Sequence, residues 1–460
     1  MEIREVFEKQ KETSQQLRSE PIKKRIERLK AIKRWVYANR EEIRDAIYKD
    51  LKKPPEEADI TEIYVVIREV KKAIKNLKNW IIPEPEGTSL AFLGTSAEVY
   101  YEPKGRTLII APWNYPFSLC MSPLVSAIAA GNTAIVKPSE MSVHTANIID
   151  KMCSELFGDE MIKVFNGGIE TSTELLSLPF DHIFFTGSPR VGKIVMAAAS
   201  KHLTSVTLEL GGKSPCLVDK SANIQDTAQK VAWGKWTNAG QTCVAPDYIF
   251  VHEKIKDQFV DKLKREAEKM FSTEQSYASI IDDGHFKRLK DWKSESLDSG
   301  AKLLYEGSSN EESRRMAPCI LEETKEGTHL NDNEIFGPIC VIKTFADLDD
   351  AIDQVNKRPK ALASYIFAND RKVVERMKQE TSAGSFVIND NVLQFGHPSL
   401  PFGGVNNSGM GKSHGKYGFI EFSNQKSVLK QRVGFTMAKI LYPPYNNFKR
   451  LNIDFLLKYF

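Results

Sequence analysis

Residues 106–140 read R-T-L-I-I-A-P-W-N-Y-P-F-S-L-C-M-S-P-L-V-S-A-I-A-A-G-N-T-A-I-V-K-P-S-E. An aliphatic, β-prone run at 106–111 stops at a turn bounded by two prolines. An apolar helical stretch at 118–130 follows, and a second β-prone run occupies 133–137. The same texture continues downstream, with helix at 142–157, strand at 162–166, helix at 171–178, strand at 182–186, helix at 190–199 and strand at 204–209. That alternation predicts an α/β fold with a parallel sheet and crossover helices. Ligands in such sheets sit beyond the carboxyl ends of the strands, so the residues just after each strand carry the functional reading.

Four of these ends are distinctive. In Ala111-Pro112-Trp113-Asn114-Tyr115-Pro116 the prolines stiffen a turn around Asn114. A fixed amide N–H can stabilise a developing oxyanion, although turn geometry is the commoner use of asparagine. Lys137-Pro138-Ser139-Glu140 places a cation and a carboxylate where ribose hydroxyls could be held, or simply forms a charge pair at a helix start. Phe184-Phe185-Thr186-Gly187-Ser188-Pro189-Arg190-Val191-Gly192 leads from a strand into a helix with proline in its first turn. Such a start presents free N–H groups to a phosphate, although the glycine spacing is not G-x-G-x-x-G. In Leu208-Glu209-Leu210-Gly211-Gly212-Lys213 a carboxylate leaves an apolar run. It is a candidate general base, with a structural ion pair as the alternative.

The stretch Trp236–Pro246, W-T-N-A-G-Q-T-C-V-A-P, supplies a thiol. Gly240 allows close backbone approach, and small neighbours leave Cys243 reachable as a nucleophile. A small buried hydrophobe is the ordinary alternative for a free cysteine. The six cysteines lie far apart and form no C-x-x-C, so neither a zinc site nor a redox pair is read from them. With 64 basic against 60 acidic residues the chain is too balanced to suggest nucleic acid. The charged N-terminus and the lack of a long apolar run predict neither a signal peptide nor a membrane span, and a cytoplasmic setting is expected. Residues 1–80 read as helices with Ile22, Ile26, Leu29, Ile32 and Trp35 on an apolar face, interrupted at 51–55 and resuming over 62–80. Their charges are read as a solvated coat without a binding site. Residues 89–102 read as a strand pair around Gly94 that needs an edge partner. Further strands are expected at 215–219, 248–251, 340–345, 364–367 and 384–388.

Taken together and in order, P-W-N-Y-P, K-P-S-E, F-T-G-S, L-E-L-G-G-K and G-Q-T-C resemble the aldehyde dehydrogenase superfamily. Glu334-Ile335-Phe336-Gly337-Pro338, Pro401-Phe402-Gly403-Gly404 and Ser408-Gly409-Met410-Gly411 extend the match over the whole chain. The early position of Asn114 and the run from Gly409 to Lys416 resemble the class 3, fatty-aldehyde-dehydrogenase-like branch. The resemblance implies a Rossmann-like cofactor domain, an α/β catalytic domain and a small β oligomerisation arm. It divides the chain into 1–84 with 103–210, 211–392, 85–102 with 393–430, and a tail at 431–460. It implies NAD(P)-dependent oxidation of an aldehyde, with Cys243 as nucleophile, Asn114 and the Cys243 N–H as oxyanion donors and Glu209 as the base. Trp113, Lys137, Glu140, Gly187, Ser188, Gly192, Leu210, Glu334 and Phe336 match cofactor positions. A carboxylate at Glu140 favours NAD, with NADP still possible. Tyr64, Tyr115, Leu119, Trp233, Trp236 and Phe395 fall in the substrate-channel regions. No dedicated cation is seen among them, so a medium- or long-chain aliphatic or an aromatic aldehyde is expected. The family pairs a C-terminal strand with the 89–102 hairpin of a second subunit, which implies a homodimer. The mixed basic and apolar tail is expected to dock on its own domain or on a partner, with peripheral contact to a membrane surface as the alternative. A CoA-acylating enzyme and a non-redox thiol hydrolase or acyltransferase remain as alternatives.

Overall fold

The computed structural model describes all residues except 1, 89–91, 93, 323, 435, 437–438, 440–441 and 460, together with the side chain of residue 274. Helices Ile3–Arg18, Ile22–Ala38 and Arg40–Leu51 open the chain. The third ends at Lys52, whose φ of 52° is left-handed. A π-helical turn, Asp59–Ile63, then runs into helix Tyr64–Trp80. Ile26, Leu29, Ile32 and Trp35 are buried against helix Ser118–Ala130, as the apolar spacing requires.

Strands β1 (Glu84–Glu86) and β2 (Thr95–Pro103) pair antiparallel. The second half of the expected hairpin is β2. Its first strand lies earlier than expected, and residues 89–91 and 93 fall outside the described residues.

Strands β3 (Arg106–Ile110), β4 (Thr133–Lys137), β5 (Ile162–Val164), β6 (His182–Gly187) and β7 (Ser205–Leu210) form a parallel sheet in the order β7-β6-β3-β4-β5. This is the Rossmann-like order, and it reverses between β3 and β6. Strands β8 (Pro215–Val218), β9 (Tyr248–His252), β10 (Lys302–Glu306), β11 (Cys319–Glu322), β12 (Ile339–Phe345), β13 (Ala361–Phe367) and β14 (Ala383–Ile388) build a second sheet in the order β10-β11-β12-β9-β8-β13-β14. Only β10 is antiparallel in it. β10 and β11 are the strands missing from the sequence reading. The first is a mostly exposed edge and the second is only four residues long, so neither has a periodic signature.

Two late strands join earlier sheets. β15 (Gly409–Met410) pairs with β7, with Gly409 opposite Glu209. β16 (Ser423–Gln431) pairs along the whole of β2, from Ser423 opposite Pro103 to Gln431 opposite Thr95. The edge partner expected from a second subunit is therefore supplied by the same chain. The connecting helix Gly415–Glu421 delivers it, because Phe419 is buried against Trp80 and Tyr101 at ring separations of 5.8 and 5.7 Å. The tail does not dock on its own domain: helix Asn447–Tyr459 has no buried residue, and Leu451 and Leu457 are 69% and 81% exposed. No described helix is long and apolar enough to cross a membrane.

Candidate active site

The reversal point between β3 and β6 opens into a cavity of about 690 Å³. Trp113 and Asn114 enter it from the loop after β3, Gly187 and Ser188 from the end of β6, and Glu209 and Leu210 from the end of β7. Glu334 and Phe336 reach in from the loop before β12. Ser188 caps helix Pro189–Ser200, its hydroxyl accepting from Val191 N–H. The helix start therefore faces the cavity with its positive end. Gly192 is not in the wall. A Cβ there would lie 2.7 Å from Leu210 Cδ2, so this glycine lets the helix pack on β7. Lys137 and Glu140 also lie outside the wall, beyond the end of neighbouring β4, and form an ion pair at 2.6 Å.

The thiol loop leaves helix Ile224–Trp236 through Asn238 and Ala239, both at positive φ of 55° and 52°. Gly240 follows at φ 70°, where a Cβ would collide with the Gly337 carbonyl. Small residues are thus forced at this bend. Hydrogen bonds hold its shape. Gln241 Nε2 donates to the Asn238 and Ser279 carbonyls, its Oε1 accepts from Ile281 N–H, and Glu57 accepts from Asn238 N–H at 2.9 Å. Asn114 is tied to the same loop. Its Nδ2 donates to the Gln241 carbonyl at 3.0 Å, and its own carbonyl accepts from Asn238 Nδ2 at 2.8 Å.

A wholly buried ion pair braces Asn114 from behind. Lys53 contacts Glu62 at 2.6 Å and also donates to the Asn114 carbonyl at 3.4 Å. Glu62 accepts from the N–H groups of Phe117 and Ser118, where helix Ser118–Ala130 begins. The charges of residues 1–80 are therefore not all a solvated coat: Lys53, Glu57 and Glu62 are interior and shape the site.

Cys243 lines both the 690 Å³ cavity and a second, mostly apolar one of about 350 Å³. Burial pushes its thiol up to about 12, with Glu334 and Glu209 acting in the same direction and the N–H groups of Cys243 and Val244 opposing. Glu209 is buried at the end of β7. Its Oε1 accepts from Ser413 Oγ at 2.8 Å, and its Oε2 has no hydrogen-bond partner among the described residues. Burial pushes its carboxyl up to about 8, against the Ser413 hydrogen bond. The structural ion-pair alternative does not describe Glu209. A third, small cavity of about 30 Å³ touches Glu209, Cys243, Ser413 and His414. That is room for roughly one or two waters.

Glu334 is pushed up to about 8, by burial first and then by Asp247, while the Gly212 backbone and Lys213 oppose. Its loop is pinned by a buried Lys213–Asp247 pair. Lys213 also donates to the Leu330 and Asn333 carbonyls, and Asp247 accepts from Ile335 N–H. Phe336 stands edge-on to Trp113 at 5.4 Å.

The 350 Å³ cavity is lined by Tyr64, Tyr115, Leu119, Trp233 and Phe395. Tyr115 Oη meets Thr242 Oγ1 at 2.7 Å beside the thiol. Trp236 is not in this wall. Its indole is wholly buried in the core of the seven-stranded sheet and donates to the Pro338 carbonyl at 2.9 Å. A buried indole N–H needs such an acceptor. A cation does line the cavity: Arg68, from helix Tyr64–Trp80, against the expectation of none. Ser413 is the other residue the sequence reading left without a role. The Ser408–Gly411 run contained the signal, because a strand added beside Glu209 brings residue 413 onto its carboxylate.

Comparisons with known proteins agree with this geometry. Residues 1–428 match the model of the aldehyde dehydrogenase family. The chain belongs to the aldehyde dehydrogenase family. It is 42% identical over 437 residues to mouse aldehyde dehydrogenase family 3 member A2, covering 94% of this chain and 89% of that protein. It is equally identical, over 437 residues and 94% of each chain, to the 4,4'-diaponeurosporen-aldehyde dehydrogenase of Staphylococcus aureus. A solved structure described as a substrate-bound state of Staphylococcus aureus AldH superposes with a TM-score of 0.94 at 40% identity, covering 99% of this chain and 100% of that one. The protein is an NAD(P)-dependent aldehyde-oxidising enzyme. The wide cavity suits a nicotinamide dinucleotide. Gly187 and Gly211 leave space that a Cβ would fill against Phe185 and the Glu334 carboxylate, and a capped helix start faces that space.

Proposed function

We propose that this enzyme oxidises medium- or long-chain aliphatic, or aromatic, aldehydes to carboxylic acids through a covalent cysteine intermediate. The observation that carries the reading is the position of Cys243 between the wide cavity at the strand ends and the apolar channel. An aldehyde entering the channel meets the thiol from one side, with the cofactor's place on the other. Once its thiol proton has passed to water, the Cys243 thiolate attacks the carbonyl carbon and makes a thiohemiacetal, whose oxyanion is received by the Asn114 amide and the Cys243 N–H. One Asn114 N–H is already spent on Gln241, which fixes the amide and leaves the other N–H for substrate. A nicotinamide held in the wide cavity would supply the hydride acceptor for this carbon, and loss of the hydride leaves a thioester on Cys243. Glu209 then takes a proton from a water in the small cavity, and hydrolysis releases the acid. The unpartnered Oε2 of Glu209 is the atom available for that proton.

Glu334 and Phe336, with Trp113 beside Phe336, would hold the nicotinamide end, Gly187, Ser188 and Leu210 the pyrophosphate region, and Lys137 and Glu140, outside the cavity wall at the end of β4, the adenosine end. Glu140 favours the free 2′-hydroxyl of NAD, and its ion pair with Lys137 softens the exclusion of NADP. Residues 1–84 with 103–210 act as the cofactor unit and 211–392 as the catalytic unit. Segments 85–102 and 393–430 bridge them, the latter also closing the edge of the cofactor sheet through β15. β14 and β16 end their sheets, and these open edges support a homodimer. Six free cysteines suit a reducing, cytoplasmic setting. In the tail, 431–460, the exposed apolar and basic helix Asn447–Tyr459 supports peripheral membrane contact.

Absorbance at 340 nm with hexanal or benzaldehyde, and NAD or NADP, tests the reading beside Cys243→Ala. Reduced cofactor formed only with the intact thiol is expected, at higher kcat/KM with NAD. Turnover unaffected by Cys243→Ala would refute it. A sedimentation measurement giving only monomer would refute the dimer, and failure to co-sediment with anionic vesicles the membrane contact.

A further inference from the structure

The apolar channel contains one feature that oxidising a plain alkanal does not use. Ile60, Thr61, Tyr64, Val65 and Arg68 follow one another along a single face of the continuous helix and line the cavity. Four of the five give the wall apolar, aromatic or methyl surface. The fifth gives it a guanidinium. Arg68 Nε and Nη2 are shut off from solvent and have no hydrogen-bond partner among the described residues. The guanidinium lies over the Tyr64 ring at 5.5 Å and against the Gly396 turn, where a Cβ would stand 3.6 Å from Nη1.

The charged groups around Arg68 do not satisfy it. Glu69 accepts from Gly415 N–H at 2.9 Å through Oε2, and its Oε1 is itself buried without a hydrogen-bond partner among the described residues. His414 is held neutral, with burial the main cause, and Arg68 itself disfavours its charged form. His397 Nδ1 accepts from Ser399 N–H, its own loop. A guanidinium is always charged, and buried polar N–H groups are costly without an acceptor. Arg68 lines the channel, so what enters the channel can bring the missing acceptor once the side chain turns toward it.

We propose that Arg68 is the anchor for a carboxylate at the far end of the substrate, so that the preferred aldehydes are ω-oxo acids whose apolar chain lies along the channel. The inference rests on the aldehyde-oxidising role of Cys243 and narrows its substrate class. The planar fork of Arg68 suits a carboxylate, which it can meet with two parallel N–H donors. Tyr64 and Val65 pack on the methylene chain, and Cys243, which lines the same cavity, receives the aldehyde carbon.

The test compares ω-oxo acids of six to twelve carbons with their methyl esters and with hexanal, in the wild-type enzyme, Arg68→Gln and Arg68→Lys. Each ester serves as its own variant's internal reference, so a general loss of activity does not mimic the effect. At the best-fitting length the acid is expected to exceed its ester by roughly 10- to 100-fold in kcat/KM, through KM rather than kcat. In Arg68→Gln that ratio falls toward one, and Arg68→Lys keeps part of it. No acid preference at any length, with esters and hexanal still oxidised in a Cys243-dependent way, overturns the anchor and leaves the parent reading standing. A preference that survives in Arg68→Gln also overturns it. Failure of every aldehyde overturns both.

Discussion

The two cavities that meet at Cys243 are built by opposite means. The wide one collects the ends of β3, β6 and β7, with Asn114 in the turn after β3 and Gly187 and Glu209 among the last residues of β6 and β7. The apolar one is assembled from a helix face near residue 64, the start of helix Ser118–Ala130, Trp233 and a late loop around Phe395. A parallel sheet fixes where its strand ends point, so the first wall is set by topology and allows little variation. A helix face changes identity with one substitution, so the second wall is where a substrate class can be chosen without disturbing the chemistry.

If the comparison holds, substitutions on the strand-end side destroy turnover with every aldehyde alike. The largest effect in this group is expected for Glu209→Gln, which removes the proposed base. Steady-state kcat should fall roughly 10²- to 10⁴-fold while a first burst of reduced cofactor survives, because the thioester still forms. Stopped-flow absorbance reads that burst, and its absence would place Glu209 before hydride transfer. The wild-type pH dependence follows from the same carboxyl. With its value raised to about 8, the carboxylate form is scarce at pH 6. Decay of the acyl-enzyme should therefore rise about tenfold per pH unit up to about 8 and then level off. Cys243 gives thiol attack a dependence of the same sign, so acyl-enzyme decay, and not overall turnover, is the quantity to follow.

Asn114→Ala comes next, with a loss of roughly 10²- to 10³-fold in kcat/KM on hexanal and benzaldehyde alike. A loss confined to one substrate would move Asn114 from the common oxyanion site to the channel. Ser413→Ala should be the mildest. It removes the one hydrogen bond that holds the Glu209 carboxyl down, so the rising limb of the profile moves to higher pH. Roughly fivefold slower acyl-enzyme decay is expected at pH 7, with recovery at higher pH. A loss that no rise in pH repairs would mean that Ser413 positions Glu209 rather than tunes it.

Much of the strand-end side was legible in the sequence. Asn114, Gly187, Ser188 and Glu209 stood out because each interrupts an alternating pattern at a point where the fold offers ligands a place. The pattern could not separate neighbours with different duties. Gly192 packs a helix on Leu210, and Trp236 fills a core, although Trp233, one turn earlier, faces the channel. The N-terminal charges were illegible for a related reason. Lys53, Glu57 and Glu62 look like any solvated helix surface until helix Ser118–Ala130 and the thiol loop close over them. Ser413 and β16 depended on pairings more than 200 and 300 residues apart.

The sequence by itself determined the alternation of strand and helix, the thiol at residue 243, the carboxylate at the end of β7 and the turn that holds Asn114. These are local, because a strand, its terminal residue and the following turn are written contiguously. Tertiary structure decided which charges are buried, which strand closes each edge, what holds Glu209 and that Arg68, with two nitrogens lacking an acceptor among the described residues, lines the apolar cavity. Burial and pairing are properties of surfaces brought together from distant parts of the chain, and no stretch of sequence carries both surfaces at once.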